Sequence, residues 1–262
     1  MKTALIRQLN QINAQFYQLT AAEFSKTRGF YWQGWKNLLP IIAPIAKEKA
    51  QLKVLDVGCG NGRFGEFLWR KKVHRHLIYH GLDNGQTLLE FAKEKLALLK
   101  FEKEFLVVDL VESLLDQTLK EKIPYKKYHL TTLFGVLHHI PSRKLRQELV
   151  QTLADSLTAG GLLVLTAWRF LNEERFEKKQ IHPSIVNIDE EKLETNDYIL
   201  DWQKGLVAYR YCHFTNDEEM KELIENSGLE LVQEYTADGK SGNLNHYAVL
   251  SKPWKITRSQ IE

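Results

Sequence analysis

The run Val54-Leu55-Asp56-Val57-Gly58-Cys59-Gly60-Asn61-Gly62-Arg63-Phe64 narrows what this chain can fold into more than any other stretch. A short apolar strand pattern meets three alternating glycines and passes at once into a helical pattern. Glycines there let the backbone turn tightly and approach a ligand with no Cβ in between. Further strand patterns at residues 77–82, 104–108, 129–134 and 161–167 alternate with helical patterns at 64–71, 87–99 and 143–157. This alternation predicts an α/β fold, a doubly wound, mostly parallel sheet with right-handed crossovers. Such a sheet holds its ligand beyond the carboxyl end of the first strand.

Around that core the chain reads as one domain. A helical leader spans residues 1–52, with Leu5, Leu9, Ile12, Phe16 and Leu19 at helical spacing over 5–22 and a second helix running through 45. The cofactor core is 53–169. A charged segment, too polar for core, makes 170–213 a substrate-side insertion. Residues 214–252 hold a helix at 218–226 and two last strands, 229–235 and 245–250, joined by a glycine-rich turn. With 262 residues, 44% of them apolar, one core is affordable without a linker. A net charge of +3 excludes a dedicated nucleic-acid coat but allows a local basic face. The leader is such a place: eight Lys and Arg face only Glu23 and Glu48 before Val54. Two cysteines, Cys59 and Cys212, support neither a disulfide framework nor a thiol zinc site, and no signal-peptide core or membrane span is visible, so a soluble cytoplasmic protein is expected. His74, His76 and His80 lack accompanying acids or thiols and read as a solvated surface, and no metal is expected. Cys59 reads as a small packing residue.

Asp83 ends the second strand, where a carboxylate suits ribose hydroxyls, and Asp109 ends the third, near where an adenine amino group lies. Gly60 to Gly65 also satisfies the dinucleotide pattern GxGxxG. Asp56, two residues before the first glycine, suits a ligand ammonium group and is awkward beside a pyrophosphate, which favours S-adenosylmethionine. The segment 54–64 then resembles the first motif of class I S-adenosylmethionine-dependent methyltransferases. Asp83 and Asp109 match their ribose and adenine acids, 132–140 their fourth motif, and Ala159-Gly160-Gly161 their Pro-Gly-Gly turn with alanine for proline. The resemblance implies a seven-stranded sheet with an antiparallel last hairpin, and a cofactor held by Asp56, Gly58, Gly60, Gly62, Asp83 and Asp109.

A narrower resemblance joins Phe24-Ser25-Lys26-Thr27-Arg28 with Trp32, Leu137-His138-His139-Ile140 with Arg143, Thr166-Ala167-Trp168, and Tyr209-Arg210-Tyr211-Cys212-His213-Phe214. Together they are similar to the tRNA wobble-uridine methyltransferases that esterify 5-carboxymethyluridine. Tyr31 stands where that family has proline, His246 where it has tryptophan, and 170–198 is unmatched. A carboxylate is already ionised at neutral pH, so it needs in-line placement rather than a strong base or a covalent enzyme intermediate. Arg28 and Arg210 are expected to make forked contacts to the anion, with His138, His139 and His213 donating hydrogen bonds or shaping the pocket. Tyr31, Trp32, Trp168 and Tyr211 are candidates to stack on a splayed base or to pack. The partners expected are tRNA and, further, a small activating protein subunit. Two alternatives stay open: methylation of a small carboxylate or hydroxyl metabolite, and a cofactor-binding accessory subunit without chemistry.

Overall fold

The computed structural model describes residues 1–27, 29–203 and 206–254. Its elements are α1 (Thr3–Thr27), α2 (Gly34–Glu48), β1 (Leu52–Val57), α3 (Arg63–Arg70), β2 (Leu77–Asp83), α4 (Gln86–Leu96), β3 (Glu102–Val107), α5 (Leu110–Leu115), α6 (Leu119–Lys122), β4 (Tyr128–Leu133), α7 (Arg143–Asp155), β5 (Leu157–Trp168), α8 (Glu174–Glu177), β6 (Gln180–Ile181), β7 (Asp197–Gln203), β8 (Val207–His213), α9 (Asp217–Asn226), β9 (Glu230–Ala237) and β10 (Asn245–Ser251). Seven strands form one sheet in the order β3-β2-β1-β4-β5-β10-β9. The first five run parallel and β10 is antiparallel to both neighbours, as the resemblance implied.

Strand alternation sets the layers. Leu52 and Val54 face α2 and α3 together with Trp35, Leu38, Phe64 and Phe67, whereas Leu55 and Val57 face α5, α7 and α9. Apolar faces on both sides are the mark of a parallel sheet between helices. The winding reverses between β1 and β4, which opens a crevice at their carboxyl ends. Among the described residues no helix is long and apolar enough to cross a membrane.

Three expectations change. The helix of the leader does not stop near 22 but runs through Thr27, and Arg28 lies outside the described residues. The insertion is not a polar excursion: β6, β7 and β8 make a second, three-stranded sheet. The leader runs along its β8 edge, Leu9 packing with Ile188, Ile199 and Tyr211 on one face and Phe16 with Trp202 and Ala208 on the other. Leader and insertion therefore form one cap beside the core. His80 is not on a solvated surface either; it is buried in mid-strand and bonded to the Tyr128 hydroxyl at 2.7 Å.

His213, expected at the reaction centre, instead ties the cap to the core. Its Nδ1 is 2.8 Å from Asp197 Oδ1 and its Nε2 2.6 Å from Glu219 Oε2, both nitrogens donating to carboxylates. Buried Arg146 on α7 completes the knot through Glu219 at 2.6 Å and Glu194 at 3.4 Å. Burial pulls the His213 pKa down, but the hydrogen bonds from Asp197 and Glu219 outweigh it and the net shift is upward. A raised native pKa contributes stability that is complete below the ordinary histidine value of about 6.5 and is lost as pH rises through the native value. The melting temperature of the parent protein should therefore exceed that of His213→Gln most at pH 6 and less at pH 9. A pH-independent gap in thermal denaturation would contradict this ion network.

Candidate functional site

A cleft of about 1020 Å³ opens at the switch point, at the upper end of the size of small-molecule sites. Its floor is the turn after β1. Gly58 and Cys59 donate their backbone N–H groups to Leu82 O at 2.7 and 3.0 Å, which ties the turn to the end of β2. Gly58 has φ 71°, and a Cβ there would stand 2.0 Å from Val136 Cγ2, so only glycine fits. Gly60 donates its N–H to Asp83 Oδ2 at 2.8 Å, and Asp83 Oδ1 accepts from Gly85 N at 2.8 Å. Burial raises the Asp83 pKa against these bonds. In front of Gly60 a Cβ would meet no protein atom within 4 Å, so that space is open to a ligand. A carboxylate at the second strand tip beside bare backbone is the geometry a nucleoside ribose requires.

Gly58, Gly60, Asp83, Asp109, His138 and Arg210 line this one cleft. Asp109 caps α5 by accepting Glu112 N at 3.0 Å and also accepts Asn10 Nδ2 at 2.8 Å, so α1 already touches the acid expected near adenine. Gly62 lies beneath the turn as the left-handed residue before α3, facing Ala92 and Leu96 rather than the cleft. Asp56 is a correction. It shares the strand face of Val54, so its carboxylate points under the turn, is 2% exposed, and accepts the hydroxyls of Tyr79 at 2.5 Å and Thr132 at 2.7 Å. It is not among the residues that line the cleft, and the expected contact with a ligand ammonium group is not in this geometry. The cleft shows Arg63 instead, stacked toward Trp35 with its guanidinium 5.6 Å from the ring centre and lowered by burial to about 10.

The other end of the cleft is built by the cap. Arg210, on β8, is 5% exposed, and its guanidinium carbon lies 4.7 Å from the centre of the Trp168 ring and 5.2 Å from that of Phe16. Among the described residues it forms no ion pair and no hydrogen bond, and its Nε is buried without a partner. Lys179, over the Trp202 ring, and Arg175, paired with Glu173, also line the cleft from the cap. The cleft is thus acidic at the nucleoside end and basic at the cap end.

Trp168 lines the cleft beside His138, with ring centres 4.9 Å apart, and Trp32 lies against Phe134 with its ring 3.2 Å from where a Gly135 Cβ would be. Tyr211 does not stack in the cleft: it is fully buried, its hydroxyl donating to Asp197 at 2.6 Å. His139 Nδ1 donates to the Tyr211 carbonyl at 3.0 Å, which leaves Nε2 to accept the Tyr17 hydroxyl at 2.7 Å. His138, His139 and Cys212 gather within 4.8 Å, but both His139 nitrogens are engaged and burial lifts the Cys212 thiol to about 12. With buried Arg210 nearby, this trio is poorly suited to a cation. The contributions of α1 were missed. Asn10, Asn13 and Tyr17 form a polar stripe at helical spacing beside the apolar one, a signal that a closer reading of the leader would find.

Residues 55–163 match the methyltransferase domain family Methyltransf_12. The chain is similar to the tRNA (carboxymethyluridine(34)-5-O)-methyltransferase of Schizosaccharomyces pombe, 22% identical over 240 residues that cover 86% of this chain and 91% of that protein. It is also similar to the carboxy-S-adenosyl-L-methionine synthase of Campylobacter curvus, 26% identical over 204 residues, covering 78% and 80%. Among solved structures, an S-adenosylmethionine-dependent methyltransferase from Clostridium acetobutylicum has the same fold, with a TM-score of 0.64 at 12% identity, 91% of this chain and 99% of that one being covered.

The buried Asp56 yields a test of the floor. Burial is the main cause that raises its pKa from 3.8 to about 6, against the two hydroxyl bonds. A raised carboxyl pKa lowers stability as pH rises between those two values, because the native state must release a proton it holds tightly. Asp56→Asn does not titrate, so its melting temperature should rise relative to the parent from pH 4 to pH 6.5 and hold level above. A constant difference over that range would show that Asp56 ionises like a solvated acid.

Proposed function

We propose that this chain, an S-adenosylmethionine-dependent methyltransferase of class I, methylates the carboxylate of 5-carboxymethyluridine in tRNA. One observation carries the proposal: Arg210 is a buried cation with no acid partner among the described residues, held between two aromatic rings at the end of the cleft away from Asp83 and Asp109. An uncompensated buried charge costs on the order of 3–5 kcal/mol, of which ring stacking offsets about 1–2. A ligand anion restores the remainder. The relatives named as tRNA carboxymethyluridine methyltransferases support a modified uridine as the bearer of that anion.

Bound S-adenosylmethionine supplies an electrophilic methyl on a sulfonium. Asp83 is the residue for the ribose, Gly58 and Gly60 give the bare backbone beside it, and Asp109 with Asn10 borders the adenine end. Arg210 then does two things for the acceptor. Its planar fork fixes the carboxylate so that one oxygen faces the methyl. It also keeps that carboxylate ionised: burial alone raises a carboxyl pKa, and a protonated acid is a poor nucleophile. Trp168, on the guanidinium face, sets the width of the slot in which the base lies. No general base is needed, so the bonded Tyr17 and His139 serve as a fixed wall. A small carboxylate or hydroxyl metabolite is the alternative acceptor. The relatives named as carboxy-S-adenosyl-L-methionine synthases favour a second reading, in which the anion that Arg210 meets is carried on the cofactor side.

Arg210→Met keeps the length of the side chain and removes the charge. It should lower methylation of tRNA from cells lacking the enzyme by about ten- to a hundred-fold, the loss of roughly 1.4–3 kcal/mol of acceptor positioning, with cofactor affinity within twofold of the parent. Asp83→Ala should do the reverse, weakening cofactor binding about ten-fold or more. Undiminished tRNA methylation by Arg210→Met would overturn the assignment. Conversion of the cofactor without tRNA labelling would favour the second reading.

A further inference from the structure

We infer that the outer face of α2 and the groove at its foot form a track for the phosphate backbone of a structured RNA whose target base lies in the cleft. This rests on the acceptor being RNA and adds where the rest of that RNA lies. α2 begins at the cleft, where Gly34 donates its N–H to Asp238 Oδ1 at 3.0 Å and Asp238 lines the cleft. Its 15 residues carry it about 22 Å away from the cleft toward the amino ends of β1 and β2. Along its solvent face Lys36, Pro40, Ala43 and Lys47 follow one another at helical spacing, all exposed and with no acid among them.

At the foot is a separate groove of about 440 Å³ between α2 and the connection from α3 to β2. Lys47, Lys49, Lys72, His74 and Arg75 line it with alanine and valine, and among the described residues no carboxylate does. Among the described residues none of these five forms an ion pair with an acid, neighbouring Glu48 included, although Lys49 lies 5.8 Å from the Trp254 ring centre. Two helices, α2 and α3, end nearby, and their carbonyl ends together amount to about one negative charge. Four permanent cations exceed that need. The surplus charge, an open groove and the absence of a local acid fit a line of phosphates. A metabolite in the cleft cannot reach about 22 Å to use it, whereas a folded RNA spans both places.

The test is binding of a fluorescent, unmodified RNA stem-loop between 50 and 200 mM salt. The parent is compared with a triple variant, Lys47→Glu, Lys72→Glu and Arg75→Glu, and with its milder alanine counterpart. Cofactor affinity within twofold of the parent marks both variants as folded. At low salt the charge-reversed protein should bind at least ten-fold more weakly, and the slope of log affinity against log salt should be shallower by about two to three, one phosphate contact per residue. The alanine variant should fall in between. With tRNA as substrate, KM should rise and kcat hold. Equal affinity and slope in all three proteins would overturn the track, as would equal binding of anionic vesicles and RNA through this face. Stem-loop binding by the parent without methylation of any tRNA nucleoside would overturn the acceptor and leave the track. Methylation with an unchanged KM in both variants would do the opposite.

Discussion

A guanidinium taken out of water needs a partner, and among the described residues Arg210 has two aromatic rings and no carboxylate. The rings offset part of the desolvation and leave the charge itself unanswered. Much of the cap is arranged to hold that condition. Phe16 arrives on α1, Trp168 at the end of β5, and Arg210 on β8, so three distant parts of the chain meet at one cation. The knot of Arg146, Glu219, His213 and Asp197 holds β7 and β8 in place and keeps its own acids occupied, away from Arg210.

The opposite end of the cleft has the complementary charge. Asp83 and Asp109 stand at successive strand tips, and the cap is pinned to that end as well. Asn10 bonds Asp109 and Ser25 accepts Asn61 Nδ2 at 2.9 Å, while inside the cap Asn13 Oδ1 accepts the Tyr211 N–H at 2.9 Å and joins leader to insertion. Helix α1, about 37 Å long by its 25 residues, therefore borders both the nucleoside end and the basic end. Its position couples the two halves of the site, since a shift that loosens Phe16 also disturbs the neighbours of the glycine turn.

The core was legible because each of its signals is local. The glycines after Val57 answer a positive-φ requirement, and strand–helix alternation follows from apolar periodicity within a few residues. Asp56 was misread although its information was present: it has the parity of Val54, which assigns it to the helix-covered face, but adjacency to the glycines suggested the cleft. His80 was misread for a similar reason, three clustered histidines outweighing a mid-strand position. The insertion was harder. Buried Leu200 and Trp202 alternate on β7, yet charged residues before them mask the pattern, and the pairing of leader with insertion rests on contacts some 190 residues apart that leave no local trace. Arg210 was reached through resemblance; that it is buried, stacked and without an acid among the described residues is visible only once the cap is assembled.

The central claim is that the acceptor is an anion held by Arg210, and an ester bond records it. Purified protein, S-adenosylmethionine carrying a labelled methyl and tRNA lacking the modification are combined, and the product is treated with mild alkali. The expected result is label in a uridine nucleoside of tRNA that mild alkali releases as volatile methanol. Label that stays on the nucleoside through alkali, or no label in tRNA at all, would contradict it.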